Sequence, residues 1–149
     1  MMNRRVNLAV AWISVALCLT GTAKAMSILD FARMNLDDES TYVALLVEGT
    51  AKMLRAHGQA DQARKAIALF KNSGKDGGVN QLAMNLKMLN GLNNRNAINP
   101  NNRAPVYEVE DAMELTLKDN RIMVPAGFLF TINRDFRPSG PPRSRITGQ

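Results

Sequence analysis

The sequence predicts a mostly α-helical protein, a small bundle of about four helices that includes an αα-hairpin over residues 38–72. Two observations carry this prediction. Apolar residues recur every three or four positions along most of the chain after residue 38, which is the period of one helix face. Polar runs rich in Gly, Asn or Pro separate these periodic stretches. Near the C-terminus the spacing changes, and we expect an irregular or short β-like segment there.

The N-terminal segment has the three-part pattern of a secretory signal peptide. Arg4 and Arg5 supply positive charge, residues 8–19 form an apolar run without a charged residue, and Ala23 and Ala25 are small residues at the two positions that signal peptidase reads. The apolar run is shorter than the ~20 residues that cross a bilayer as a helix. We therefore expect cleavage after Ala25 and a periplasmic or secreted location. An uncleaved signal anchor that tethers the protein to a membrane is the alternative.

Removal of this segment changes the composition of the protein. Three of the 19 basic residues and none of the 13 acidic residues lie in it, so the formal net charge falls from +6 to +3. The single cysteine, Cys18, is removed as well, which excludes a disulfide-stapled scaffold and leaves stability to a packed core. We predict a signal peptide at 1–25, a helical domain at 26–136 and a disordered basic tail at 137–149.

The predicted hairpin consists of two helices separated by a short turn at Gly58. The first helix begins near Asp37 and Asp38, whose carboxylates suit a helix start. The second extends from about Ala60 to Lys71. Because the connection is only a few residues long, the two helices should pack antiparallel.

Two further helices and an extended segment follow the hairpin. The spacing of apolar residues predicts helices over about 79–92 and 108–119, with Asn120 as the C-cap of the latter. Between them, seven of the 14 residues in 90–103 are asparagine, which favours turns, so we expect a long irregular connection on the surface. Apolar residues alternate over 128–132, which is typical of a strand or of an extended segment that lies on the bundle.

Large apolar side chains at helical spacing define the predicted core. Its members are Tyr42, Leu45, Leu46, Met53, Ile67, Phe70, Leu82, Leu86, Leu89, Met113, Leu117 and Phe128. Methionines such as Met84 and Met88 lie beside the leucines, where flexible side chains usually fill gaps in a core.

No group of residues in the sequence forms a catalytic, metal-binding or nucleotide-binding motif. His57, the only histidine, directly precedes Gly58 at a predicted helix end, where the helix dipole favours a cation. Acidic clusters at 37–39 and 108–114 lie at helix starts, where negative charge complements the same dipole. Residues 74–78 lack the glycine spacing and the Lys-Ser/Thr pair of a phosphate loop. We therefore predict that the protein is not an enzyme and needs neither a cofactor nor a metal.

Export, together with this lack of chemical motifs, predicts a module that binds another protein. The candidate partner-binding residues lie in the asparagine-rich connection and in the C-terminal segment, where exposed loops and aromatic side chains favour docking: Asn93, Asn94, Arg95, Phe128, Phe130 and Arg134. A carrier of a small apolar ligand and an enzyme that works through carboxylates alone are the alternatives. The basic tail predicts a weak contact with a membrane surface, whereas we expect no binding to nucleic acid.

Overall fold

A computed structural model describes residues 25–101, 103–132 and 136–143. Within these ranges the chain is mostly helical and has no strand, which confirms the predicted helical bundle. The α-helices are α1 (Ile28–Arg33), α2 (Leu36–Ala56), α3 (Ala60–Lys71), α4 (Gly78–Ile98) and α5 (Val109–Asp119), and a 3₁₀ helix spans Leu129–Thr131. No helix in the described ranges is both long and apolar enough to span a membrane. The predicted signal sequence up to residue 24 lies outside them.

Helices α2 and α3 form the predicted hairpin. Gly58 ends α2 with φ +74°, a left-handed conformation that glycine adopts without steric cost. The N–H of Gln59 donates to the carbonyl of Leu54 at 2.8 Å, which satisfies a carbonyl that the helix end would otherwise leave free. Ala63 and Ala66 of α3 are fully buried, because small side chains let the two helices pack closely.

Helices α4 and α5 form a second pair, and polar side chains join them. Asn85 donates to the hydroxyl of Thr116 at 3.0 Å, and Asn120, the predicted C-cap of α5, donates to Gln81 at 2.7 Å. These hydrogen bonds cross between α4 and α5 and so fix how the two helices face each other.

The expectation of an irregular connection from residue 90 is wrong, because α4 continues as a helix to Ile98. Asn93 holds the backbone of Tyr107 with two hydrogen bonds of 2.8 Å, one donated by its Nδ2 and one accepted by its Oδ1. Leu89 is buried one turn earlier. These tertiary contacts outweigh the weak helix propensity of asparagine.

The core is largely the one that periodicity predicts. Seven predicted members are buried, namely Tyr42, Leu46, Met53, Leu82, Leu89, Met113 and Leu117, and four partly buried ones pack against them, namely Ile67, Phe70, Leu86 and Phe128. The prediction for Leu45 is wrong, since this side chain is 36 % exposed. It lies at the edge of the buried face of α2 that Tyr42 and Leu46 share.

The segment after α5 is irregular, and the β-like alternative is not confirmed. Its hydrogen bonds are local, as when the N–H of Phe128 donates to the carbonyl of Pro125 at 3.0 Å. Ile122 and Leu129 are nonetheless fully buried. Gly49 lets this segment approach α2, since a Cβ at that position would lie 2.7 Å from Cγ2 of Ile132. Apolar packing, rather than strand pairing, therefore holds the segment on the bundle.

Residues 136–143 lie against the start of α2. The N–H and hydroxyl of Ser139 and the N–H of Gly140 donate to the carboxylate of Asp38 at 2.7–3.1 Å. The Arg143 guanidinium pairs with Glu39 at 2.7 Å. Part of the stretch for which the sequence predicts a disordered tail thus makes defined contacts, while residues 144–149 lie outside the described residues. The domain division itself stays a prediction.

Candidate functional site

An apolar groove opens between α2, α3 and the first half of α4. Its volume is about 660 Å³, which lies within the range of about 300–1,000 Å³ that is usual for ligand-binding pockets. The apolar residues that line it are Phe31, Val43, Val47, Ile67, Phe70, Val79, Leu82 and Leu86.

The groove lies where the two helix pairs meet, because α4 packs less on the hairpin than on α5. Helix α2 packs mainly on α3, and α4 packs mainly on α5, so the first half of α4 covers the hairpin only in part. Gly78, the first residue of α4, abuts the lining residue Phe70, and a Cβ on this glycine would lie 2.9 Å from the ring. The absence of a side chain at Gly78 thus lets α4 begin directly against the aromatic ring.

Charged and exposed residues border the groove. Glu39 and Glu48 come from α2 and Lys71 from α3. Burial raises the pKa of Glu39, although the neighbouring Arg143 opposes this shift. The exposed members of the lining are Ser40, Ala44, Glu48, Lys71, Val79 and Ala83, so the groove is open to solvent rather than enclosed.

The apolar surface continues beyond the groove. Leu36, which precedes the lining residue Ser40 by one turn of α2 and therefore shares its face, is 67 % exposed. The start of α2 thus adds an exposed apolar residue on the same helix face as the groove lining.

A second candidate site is a buried carboxylate at the start of α5. Glu110 is 2 % exposed. The hydroxyl of Tyr42 donates to it, and the N–H of Met26 donates to its two carboxylate oxygens at 3.2 and 3.4 Å. Burial raises the pKa of Glu110, and the hydrogen bonds from Tyr42 and Met26 act in the opposite direction.

The acidic cluster of residues 108–114 therefore holds carboxylates with different roles. Glu108 and Asp111 form a capping box, in which each side chain accepts a hydrogen bond from the other residue's backbone N–H. Glu110 lines neither the groove nor a second cavity of about 440 Å³ that lies beside Met26 and Tyr42. A hydrolase that works through two carboxylates needs both groups to face the substrate, and this cluster shows no such arrangement among the described residues.

The partner-binding residues predicted on α4 occupy different surroundings. Asn93 is used internally, since it holds the backbone of Tyr107. Asn94 and Arg95 are exposed in the last turns of the helix. Neither residue lines the groove. Their contact with a partner stays a prediction.

The remaining predicted positions lie elsewhere. Phe128 and Phe130 are half-buried in the segment that packs on α5 and α2. Arg134 and Ala23 lie outside the described residues, whereas Ala25 lines the 440 Å³ cavity. The structure therefore does not gather the described members of this set into one surface.

Sequence reasoning missed the groove because a groove is a gap between helices. One signal was available on α2. Val43 and Val47 lie beside Tyr42 and Leu46, which makes its apolar face wider than contact with a single partner helix requires. A face of this width contacts a third helix or remains partly uncovered.

Among the described residues, no three His, Asp or Glu side chains converge as a metal site. Comparison of the chain with protein-family models, with curated proteins and with solved structures gives no significant match.

Proposed function

We propose that this protein is an exported, non-enzymatic interaction protein whose groove binds an amphipathic helix of a partner protein. The observation that carries the proposal is the open apolar groove between α2, α3 and α4 with its charged border. A helix with apolar residues at positions i, i+4 and i+7 presents one continuous stripe, which is the shape that such a groove accepts.

The open side of the groove favours a helix over a small molecule. Pockets for small ligands bury about 70–90 % of the ligand surface. Here the exposed residues Ala44, Val79 and Ala83 belong to the lining, so a small ligand would remain in contact with water on one side. An amphipathic helix covers the apolar lining with one face and presents its own polar face to the solvent.

Charge at the border gives the partner helix an orientation. Glu48 on α2 and Lys71 on α3 are both exposed. A partner with a basic residue towards α2 and an acidic residue towards α3 would complement them, and charges at the rim of an interface contribute mainly to specificity and association rate. Apolar contact with Val43, Val47 and Leu86 supplies the affinity.

A carrier of a small apolar ligand is the second candidate. The volume of about 660 Å³ and the apolar lining favour it. It predicts that a lipid or a similar apolar molecule co-purifies with the protein in a fixed ratio, which native mass spectrometry measures.

Site-specific photo-crosslinking tests the interaction proposal. A photoreactive phenylalanine analogue replaces Ala83, which is exposed and lines the groove, in the full chain expressed in its source cells. We expect one discrete crosslinked protein, and mass spectrometry should place the crosslink in an amphipathic helical segment of it. The same analogue at Met84, an exposed neighbour on α4 that does not line the groove, is the matched control.

The variant Ala83→Glu provides an independent test. Because residue 83 is exposed, the new charge should leave folding intact while it weakens binding of the identified segment at least tenfold. Met84→Glu should change the affinity less than twofold. Equal crosslinking at positions 83 and 84, or equal affinities of the two glutamate variants, would contradict binding in the groove.

A further inference from the structure

Glu110 is a buried acid that forms no ion pair with any described side chain. The ion pairs between described side chains within 4.0 Å are Arg64 with Asp61 and Arg143 with Glu39. Neither pair involves Glu110, which accepts hydrogen bonds from the hydroxyl of Tyr42 and the backbone nitrogen of Met26. A buried carboxylate without a counter-charge is costly, and proteins usually supply one.

The backbone around Met26 is held firmly at this carboxylate. The carbonyl of Met26 accepts the N–H of Val109 at 3.0 Å, and Ser27 forms an antiparallel bridge with Glu108. The Met26 side chain packs against the core. Together with these contacts, the nitrogen of Met26 lies within 3.4 Å of both oxygens of Glu110.

The nitrogen of Met26 also belongs to the peptide bond at which the sequence predicts signal cleavage. Ala23 and Ala25 occupy the small-residue positions before this bond. Hydrolysis breaks the C–N bond between Ala25 and Met26: water adds its hydroxyl to the carbonyl carbon of Ala25 and a proton to the nitrogen of Met26. The released amine then takes a second proton from solvent and becomes an ammonium, since α-amino groups have an ordinary pKa of about 8.

We propose that the ammonium group of Met26 in the processed protein forms an ion pair with the buried carboxylate of Glu110. The proposal rests on the export step of the proposed function but not on the groove. Cleavage converts a single N–H donor into three donors that carry a full positive charge, at a position that already lies beside both carboxylate oxygens. Signal removal thus gives the buried carboxylate of Glu110 a positively charged hydrogen-bond donor.

The position of the cut decides whether the pair can form. A cut even one bond earlier would leave the Met26 nitrogen in an amide, without charge, and would place the new amine on Ala25. In the uncut chain the Met26 nitrogen carries no charge, so the precursor should be less stable than the processed protein. A precursor of lower stability suits export of an unfolded chain.

Several other charged groups lie near the site and enter the test. Tyr42 on α2 and Glu108, the N-cap residue of α5, act on Glu110 directly. The cavity beside Met26 is bordered by Asp30 and Arg33 of α1 and by Arg137. The test therefore compares single-site variants at one ionic strength, so that the effect of these neighbouring groups on the pKa of Met26 and Glu110 is the same in each protein.

The experiment begins with the exported protein purified from cells that express the full chain. Its intact mass and N-terminal sequence should show that it starts at Met26. NMR titration of the Met26 α-amino group should then give a pKa of about 9 or higher, because a buried carboxylate favours the charged amine. In Glu110→Gln, which keeps the shape of the side chain, this pKa should return to about 8.

Acetylation of the Met26 nitrogen supplies the matched control, since it restores an amide and removes the charge. We expect it to raise the unfolding equilibrium constant at least tenfold in the wild type, about 1.4 kcal/mol, and much less in Glu110→Gln. If Glu110→Gln does not fold, the titrations of Met26 and Glu110 in the wild type still show whether the two groups form an ion pair. A start at another residue, or an α-amino pKa of about 8 in the wild type, would overturn the proposal while leaving groove binding open to its own test.

Discussion

At the residue scale, two helices end in the same hydrogen-bond motif with different residues at its left-handed position. Gly58 occupies this position after α2 with φ +74°, and Arg121 occupies it after α5 with φ 59°. In the second case the N–H of Arg121 donates to Lys118 and that of Ile122 to Leu117, both at 2.9 Å. A Cβ is sterically unfavourable in this conformation, so Arg121 is strained and Gly58 is not.

We therefore expect Arg121→Gly to raise the free energy of unfolding by about 0.5–1 kcal/mol. The greater freedom of glycine in the unfolded state keeps the gain at this modest level. The matched change, Gly58→Ala, should lower it by about 1 kcal/mol, because no atom lies within 4 Å of the new Cβ and only the backbone effect remains. Urea unfolding of the wild type and of both variants measures these changes in the free energy of unfolding. Equal effects of the same sign would contradict the assignment of strain.

Helical periodicity predicted most buried apolar residues, but it did not predict Glu110. Carboxylates at a helix start are usually exposed, and the helix dipole is enough to explain them. The position of Glu110 in the sequence therefore gave no sign that it is buried. One hint was present in Tyr42, a residue predicted to be in the core. The hydroxyl of a buried tyrosine needs a hydrogen-bond partner, and here that partner is Glu110.

At the scale of elements, α4 shows how tertiary contacts override composition. Its last turns contain Asn90, Asn93, Asn94 and Asn96 and still form a helix. Asn93 binds both polar groups of the Tyr107 backbone and so connects the end of α4 to the start of α5. Composition alone carries no information about such a distant backbone partner, which is why the sequence predicted a loop there.

The two neighbouring asparagines give a direct test of this explanation. Asn93→Ala should lower the free energy of unfolding by about 1–3 kcal/mol, because it leaves two part-buried backbone groups of Tyr107 without their partner. Asn94 is exposed, so Asn94→Ala should be neutral or slightly stabilising through its higher helix propensity. Thermal unfolding followed by circular dichroism compares them. Similar losses in both variants would show that the hydrogen bonds of Asn93 are not what stabilises this region.

In the C-terminal segment, an apolar pattern rather than composition led to a wrong prediction of secondary structure. Phe128, Phe130 and Ile132 alternate as in a strand, yet the backbone forms a 3₁₀ turn over Leu129–Thr131. A strand requires a partner for its backbone groups, and none of the described segments offers one at this position. Apolar side chains can be buried against α2 and α5 without such a partner. Among residues 128–132 the most buried is Leu129, which lies between the alternating positions and is 1 % exposed. Phe128, Phe130 and Ile132 are only half-buried, so the alternation predicted neither the secondary structure nor the buried residue.

At the scale of the whole molecule, the two ends of the described chain meet at the start of α2. Asp38 receives hydrogen bonds from Ser139 and Gly140, about a hundred residues away in sequence. The N–H of Arg143 donates to the carbonyl of Arg33 at 2.8 Å. Local periodicity predicts helices and their buried faces, but it carries no information on pairs at this separation. The groove and the contacts of Asp38 both depend on residues that are far apart in the sequence, so local periodicity could not predict them.

The contacts of Asp38 make the stability of the whole molecule depend on pH in a defined window. Hydrogen bonds from the N–H and the hydroxyl of Ser139, followed by smaller contributions from Gly140 and Asn35, lower the pKa of Asp38 from 3.8 to about 2. A carboxylate whose pKa is lower in the folded state stabilises the fold above its unfolded pKa, and this contribution is lost as pH falls through the folded value. The loss attributable to Asp38 should therefore occur between about pH 4 and pH 2.

Comparison with Asp38→Asn isolates this contribution from the other carboxyl groups. Burial raises the pKa of Glu39 and of Glu110, so ionisation of these two groups lowers the stability of the fold. This effect is opposite in sign to that of Asp38 and occurs at higher pH. These effects are present in both proteins and cancel in the difference between wild type and variant. We expect the wild type to be the more stable protein at pH 6 and the difference to shrink steadily below about pH 4. Urea unfolding at a series of pH values measures it, and a difference that stays constant down to pH 2 would show that the hydrogen bonds from Ser139 and Gly140 do not stabilise the ionised carboxylate.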